Sequence, residues 1–241
     1  MHNWSWLLDE SASSVGPEID RLYYVILVIT GIVFFATELT LLWFLFKYRH
    51  REGQKAEYIH GNAKAEVIWT AVPAVIVLSI ALASRGLWAE IKDPRNVPAN
   101  AMHVMLTAKQ FEWNLTYPGP DGELRTGDDF TVRNRLDIPL DRPTVLEMHS
   151  LDVIHSFFIP EFRLKQDVVP GMDMMMWFQP TRTGEFGIGC AELCGIGHTR
   201  MRGTLTVHSA ADYQAWINEQ LQGAAGAAAP ADTTAAPGQV Q

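Results

Sequence analysis

The chain has 241 residues, a formal net charge of −8 at pH 7 and a mean hydropathy near zero. That length allows one or two domains, and the acidic balance disfavours nucleic acid and favours a basic partner. Hydropathy this high in a chain that is 19 % charged implies two regions of different character.

In chain order, residues 1–21 read as a polar, acidic N-terminal segment carrying Asp9, Glu10, Glu18 and Asp20. They lack the basic and short apolar regions of a secretory signal, so the apolar run that follows is expected to be a retained anchor. Residues 22–91 read as a transmembrane helix hairpin. Its two runs, Leu22 to Phe46 and Val67 to Trp88, are each long enough to cross a hydrocarbon core of about 30 Å. Buried core helices of a soluble protein would be shorter and less uniformly apolar. The loop between them, about 47–66, carries Lys47, Arg49, Arg51, Lys55 and Lys64, and short loops rich in Lys and Arg stay in the cytoplasm. His50 and His60 in this loop are expected to be solvated. Both termini then face outward, which in a bacterium means a multi-pass protein of the inner membrane with its termini in the periplasm. Glu38 lies inside the first run. Ionisable residues within a span face protein or water, so Glu38 is expected to face a partner subunit.

Residues 92–221 read as one domain on the outer face, and the chain from residue 92 onward carries twelve basic and eighteen acidic residues. Short runs such as "MHVMLT", "FTVRN", "TVLEMHS", "MMMWFQP" and "GTLTVHS" alternate with turn-forming stretches, which predicts an all-β sandwich or barrel. Asp212 to Leu221 then reads as a short helix. Ser209 and Asp212 fit a capping box, and Tyr213, Ile217 and Leu221 share a face. Residues 222–241, rich in Ala and Pro, read as a disordered tail.

Both cysteines of the chain lie in "GCAELCGIGHTRM", residues 189–201. A disulfide, permitted outside the cytoplasm, would close a very small loop and leave His198 and Met201 unexplained. Structural zinc would gain nothing from methionine and lacks the usual second pair of ligands. Haem attachment needs Cys-x-x-Cys-His, and the spacing here is Cys-x-x-x-Cys. Thiolate, imidazole and thioether together suit a copper electron-transfer site. Cys194, His198 and Met201 match a blue-copper ligand loop, and Cys190 adds a second thiolate that can bridge two copper ions, as in a binuclear CuA centre. The methionines of "MDMMMWF", residues 172–178, raise the idea of copper collection by thioethers, but their place in a strand favours packing. His149, six residues before His155, reads as a surface or core histidine, or as a group behind the metal ligands.

"HSLDVIHSFFIPEFRLKQDVVPGM" followed by "GCAELCGIGHTRM" resembles subunit II of the haem–copper cytochrome c oxidases, over about residues 20–208. The resemblance implies a cupredoxin-like sandwich holding a CuA site of two copper ions. It assigns the metal ligands to His155, Cys190, the Glu192 carbonyl, Cys194, His198 and Met201. It also implies a Mg²⁺ or Mn²⁺ ion near the Glu192 side chain at the junction with subunit I. "AEVIWTAVPA" is similar to the start of the family's second membrane helix, and there Glu66 takes the place of a carboxylate near the mouth of a proton channel. A charged residue in the first turn of a helix also suits the macrodipole. The family's electron-accepting tryptophan is replaced in "KQFEW": Phe111 fills the position, and Trp113, two residues on, is expected on the same face as a substitute. Asp152 and Asp167 are candidate docking charges for a basic donor.

The resemblance implies the electron-accepting subunit of a terminal cytochrome c oxidase. Such a subunit takes electrons from a periplasmic c-type cytochrome and passes them to haem in subunit I, where oxygen is reduced and protons are pumped. Subunits I and III are the expected membrane partners. The alternatives are the CuA subunit of a nitric oxide reductase and a membrane-tethered copper carrier; Glu66 and its "IWT" context favour the oxidase. Quinol oxidase relatives lack the copper ligands.

Overall fold

A computed structural model describes residues 8–228 of the chain. It divides into two compact units, one built on Val15–Asn96 and the other on Asp9–Ser14 together with the chain from Val97 onward.

The first unit is helical. Helices α1 (Gly16–Lys47) and α2 (Ala63–Lys92) are both long and apolar enough to cross a membrane. A proline in the first turn of α1 pre-sets the helical backbone, with Glu18 at its positive end and Lys47 at its negative end. Helix α2 starts at Asn62, whose side chain accepts from Ala65 N–H at 3.2 Å, and Glu66 lies in its first turn. The hydroxyls of Thr30, Thr37, Thr40 and Ser79 donate to carbonyls four residues earlier. These polar groups are thereby satisfied within their own helix, as hydrocarbon requires. Large apolar side chains such as Ile32, Phe35, Leu39, Val75 and Leu82 stand exposed along both helices. Glu38 lies in the C-terminal half of α1 and is exposed in the single chain, as are His50 and His60.

The second unit is an all-β sandwich of two five-stranded sheets. Its strands in chain order are β1 (Met102–Lys109), β2 (Glu112–Tyr117), β3 (Phe130–Arg133), β4 (Arg135–Pro139), β5 (Thr144–Ser150), β6 (His155–Ile159), β7 (Leu164–Val168), β8 (Met174–Phe178), β9 (Gly184–Cys190) and β10 (Arg202–His208). One sheet has the order β3-β2-β1-β5-β8 and the other β4-β10-β9-β6-β7. The pairs β1–β5 and β4–β10 run parallel, and the rest are antiparallel. Period-2 alternation sends Val104, Leu106, Leu115, Tyr117, Leu146, Met148, Phe157, Ile159, Leu205 and Val207 into the shared interior.

Three boundaries differ from the sequence reading. The polar N-terminal segment ends at Val15, not residue 21, because Pro17 can open a helix there. Residues 9–14 are tied to the sandwich: Ala12 N–H donates to the Glu161 carbonyl, Thr181 N–H to the Ala12 carbonyl, and the Ser13 hydroxyl to the Phe162 carbonyl. Third, the C-terminal helix α3 runs from Ala210 to Ala228, past Leu221. The residues after Gln222 begin as helix because alanine is the strongest helix former, and 229–241 lie outside the described residues. At its start the Ser209 hydroxyl accepts from Asp212 N–H at 3.2 Å and donates to the Asp212 carboxylate at 2.6 Å. Tyr213, Ile217 and Leu221 pack on the core from one face of α3, together with buried Trp216.

Candidate metal centre

The second sheet brings the candidate ligands together. Strand β6 opens with His155, and β9 closes with Cys190 beside it, since Phe157 pairs with Cys190. From Cys190 the chain loops to Met201, where β10 returns antiparallel to β9. Cys190 N–H donates to the Met201 carbonyl at 3.2 Å, and Ala191 N–H to the Ser156 carbonyl at 2.9 Å. The pairing of the two strands therefore fixes both ends of the loop, and a short 3₁₀ turn at His198–Arg200 folds His198 and Met201 back toward the cysteines.

Sulfur and nitrogen converge there. The Sγ atoms of Cys190 and Cys194 lie 3.8 Å apart. Cys194 Sγ is also 3.7 Å from His198 Nδ1 and 3.8 Å from Met201 Sδ, and Cys190 Sγ is 3.2 Å from the Glu192 carbonyl. His155, Cys190 and Cys194 place their ligand atoms within 4.8 Å of one another. His155, Cys194 and Met201 are buried, whereas Leu193 and Ile196 on the same loop are exposed. Burial, then the neighbouring Cys190, push the Cys194 thiol up to about 11.

His155 supplies the clearest test of fit. Its Nε2 is 2.8 Å from Asp152 Oδ1. An ionised carboxylate only accepts, so Nε2 carries the hydrogen. Nδ1 then presents a bare lone pair, and it is buried with no hydrogen-bond partner among the described residues. A buried, unpaired acceptor beside two thiols fits a metal ligand, and the soft sulfur-rich set with two imidazoles fits copper.

Asp152 is therefore not the free docking charge expected from the sequence. Its carboxylate accepts from His155 Nε2, from Gln110 N–H at 2.7 Å and from Val153 N–H at 2.7 Å. Burial alone would raise its pKa, but these bonds hold it below the usual carboxylate range. Asp167 is half exposed and sits 2.9 Å from Lys165 Nζ, with its Oδ1 accepting from the Ser156 hydroxyl at 2.7 Å.

The two aromatic candidates also separate. Phe111 lies in the turn between β1 and β2, half-buried, with its ring against Gly195 and Gly197 of the ligand loop; a Cβ at Gly197 would overlap that ring. Trp113 is wholly buried, edge-on to His155 at 6.0 Å and to Phe157 at 5.1 Å between ring centroids. It does not share an exposed face with Phe111, because the strand alternation starts at Glu112, after the turn. Trp113 is a packing residue behind His155. His149 lies on β5 of the other sheet, so it does not stand beside His155. Glu192 is exposed, and Glu66 belongs to the helical unit.

Sequence reasoning missed Gln110, whose Nε2 donates to the Cys194 carbonyl at 2.5 Å and so clamps the loop between the two thiols. Its only sequence signal is its place beside Phe111 in "KQFEW".

Known proteins resemble the chain over both of its units. Residues 107–208 match the family described as cytochrome c oxidase subunit II, periplasmic domain, and residues 1–87 match its transmembrane domain. The chain is 36 % identical over 216 residues to the alternative cytochrome c oxidase subunit 2 of Bradyrhizobium diazoefficiens, covering 80 % of this chain and 76 % of that one. It is 28 % identical over 276 residues to cytochrome c oxidase subunit 2 of a Synechocystis species, covering 95 % and 78 %. Among solved structures, the periplasmic domain of subunit II of cytochrome oxidase from Bradyrhizobium japonicum superposes with a TM-score of 0.47 at 27 % identity, over 53 % of this chain and 98 % of that one. With its two apolar helices and its sulfur-lined β-sandwich, the chain belongs to the cytochrome c oxidase subunit II family.

Proposed function

We propose that this chain is the electron-accepting subunit of a terminal cytochrome c oxidase, holding a binuclear CuA centre in its β-sandwich. The observation that carries this reading is the convergence of both thiols, His198, Met201 and the unpaired Nδ1 of His155 on one point. When bound, two copper ions would supply a one-electron carrier. Cys190 and Cys194 would hold both metals, His155 and His198 would each supply an imidazole, and Met201 and the Glu192 carbonyl would be the weak ligands. Asp152 holds His155 in one tautomer, and Gln110 and Phe111 hold the loop. The domain division proposed is a helix hairpin followed by a sandwich that carries α3 at its C-terminal end.

In this reading electrons come from a periplasmic c-type cytochrome and leave to haem in subunit I, where oxygen is reduced. Phe111, at the edge of the ligand loop, supports a place for electron uptake, and half-exposed Asp167 a docking charge. The exposed Glu192 carboxylate is available to a Mg²⁺ or Mn²⁺ ion at the subunit I junction, Glu66 to a proton path, and subunit III to the same complex. The basic connection between α1 and α2 supports an inner-membrane hairpin with a cytoplasmic loop and a periplasmic sandwich.

The test is electron paramagnetic resonance of the purified complex. Hyperfine splitting from two equivalent copper nuclei is expected. Splitting from a single copper, or tight zinc without colour, would overturn the assignment.

A further inference from the structure

The solvent-facing side of the other sheet carries a second set of soft ligands that the CuA reading does not use. The inward positions of its central strands are Val104 and Leu106 on β1, Leu146 and Met148 on β5, and Met176 on β8. The alternate positions point outward, where a half-solvated sheet ordinarily carries polar residues. Here Met105 pairs with Glu147, and Glu147 pairs with Met175, so two methionines flank β5 on one rung. His149 lies two residues further along β5 on the same face. Each methionine lies diagonal to His149 at about 7–8 Å, and the two methionines, on the strands either side of β5, stand about 10 Å apart, a span that two flexible thioethers leaning toward His149 can close. Met105, Met174, Met175 and His149 line one open cavity of about 620 Å³. All four are half-buried.

The charged groups of this cavity leave His149 free. Glu147 takes His103 Nδ1 at 3.0 Å and Arg125 at 2.9 Å. Those three neutralise one another in part, and Asp173 adds a negative charge to the lining. Among the described residues the His149 ring makes no hydrogen bond or ion pair. Neutral thioethers attract neither Mg²⁺ nor Ca²⁺ and hold Zn²⁺ poorly, whereas thioether and imidazole ligands together select Cu(I).

We infer that Met105, Met175 and His149 form a surface site for one Cu(I) ion, distinct from the Cys190–Met201 centre and built on the opposite sheet. The site stands independently of the CuA reading. It gives the protein a place to hold reduced copper that no thiol oxidation can close.

The experiment uses the full-length chain in detergent with Cys190→Ser and Cys194→Ser, titrated anaerobically with Cu(I) against a chromophoric Cu(I) chelator. This background is expected to retain Cu(I). Adding Met105→Leu and Met175→Leu should remove one equivalent. Such volume-conserving changes are well tolerated, and near-ultraviolet circular dichroism verifies the fold. His149→Gln should weaken that equivalent about tenfold or more, a loss of about 1.4 kcal/mol or more. Met201→Leu, which addresses the residual imidazoles and thioether of the other centre, should leave it in place. The inference is overturned if the background chain retains no Cu(I). It is equally overturned if the Met105/Met175 pair or His149→Gln leaves stoichiometry and affinity unchanged, or if the equivalent disappears with Met201→Leu instead.

Discussion

Replacing Asp152 by Asn separates two roles that its position could serve, docking a cationic donor or fixing a metal ligand. The carboxylate accepts three hydrogen bonds, from His155 Nε2 at 2.8 Å and from the N–H groups of Gln110 and Val153, both at 2.7 Å. Asn keeps the shape but has one acceptor oxygen. If that oxygen stays with His155 and Val153, the new amide NH₂ faces Gln110 N–H, donor against donor. If the amide flips, His155 loses its acceptor and with it the tautomer that leaves Nδ1 free. Hydrogen bonds to charged groups are worth about 1.5–3 kcal/mol each. The Asp152 side chain is 29 % exposed, so water recovers part of this, and a net loss of about 1–2 kcal/mol in stability is expected. Copper affinity should fall about 10–100-fold, the usual effect of removing a hydrogen bond behind a metal-bound imidazole.

The assay is a copper competition titration of the complex, with the paramagnetic spectrum and midpoint potential of the centre recorded alongside. Asp152→Asn should change affinity, spectrum and potential together. If all three match the parent while association with the cytochrome slows, Asp152 is a docking charge and the positioning role is wrong.

Three other substitutions test the same site and its support. Trp113→Leu should cost about 2–4 kcal/mol in a denaturant titration, because it empties a wholly buried position behind His155; stopped-flow donor association should be unchanged, and a slower rate would return Trp113 to the docking surface. Gly197→Ala should destabilise by about 1–3 kcal/mol and weaken copper binding, since its Cβ meets the Phe111 ring, whereas Gly187→Ala, with open space around its Cβ, should be near neutral; equal effects would show that Phe111 does not brace the loop. Burial raises the Tyr213 hydroxyl to about 12 and raises Tyr117 too. A group raised in the folded state contributes stability that is whole below its ordinary value of 10 and is lost as pH climbs through the folded value. The sandwich should therefore lose stability above about pH 10, Tyr213→Phe should lessen that loss, and an unchanged alkaline profile would refute the burial argument.

The membrane helices, the β class of the sandwich and the residues that converge at the candidate metal centre were legible in the sequence, each for a local reason. A long apolar run needs no tertiary context, and Cys, His and Met at close spacing have few other uses. The supporting groups were not legible. Asp152 and Gln110 are common residues whose meaning comes from which neighbours the fold gives them. Asp152 looked like a surface charge until β6 placed His155 against it. Trp113 was misread because alternation was counted through Phe111, where the chain is turning. Several strands also escaped notice. Strand β9 contains Gly184, Gly187 and Gly189, and β7 is largely polar, so neither carries the β-branched pattern that marks a strand; they are strands because β6 lies between them and pairs with both.

The same contrast bears on how the centre is filled. The backbone of the ligand loop is closed by protein alone: Cys190 N–H to the Met201 carbonyl, His198 N–H to the Gly195 carbonyl, and Gln110 to the Cys194 carbonyl. The protonation of the ligands is a separate matter. With its thiol pushed up to about 11, Cys194 is protonated at neutral pH, and a thiol binds metal only as thiolate. On the proposed CuA reading, holding copper at Cys194 requires losing a proton, and the affinity of the site should rise with pH until the thiol ionises. The loop contributes geometry, and the metal itself must drive the deprotonation, which is why a sulfur-seeking ion such as copper suits this pair of cysteines better than a hard cation that prefers oxygen.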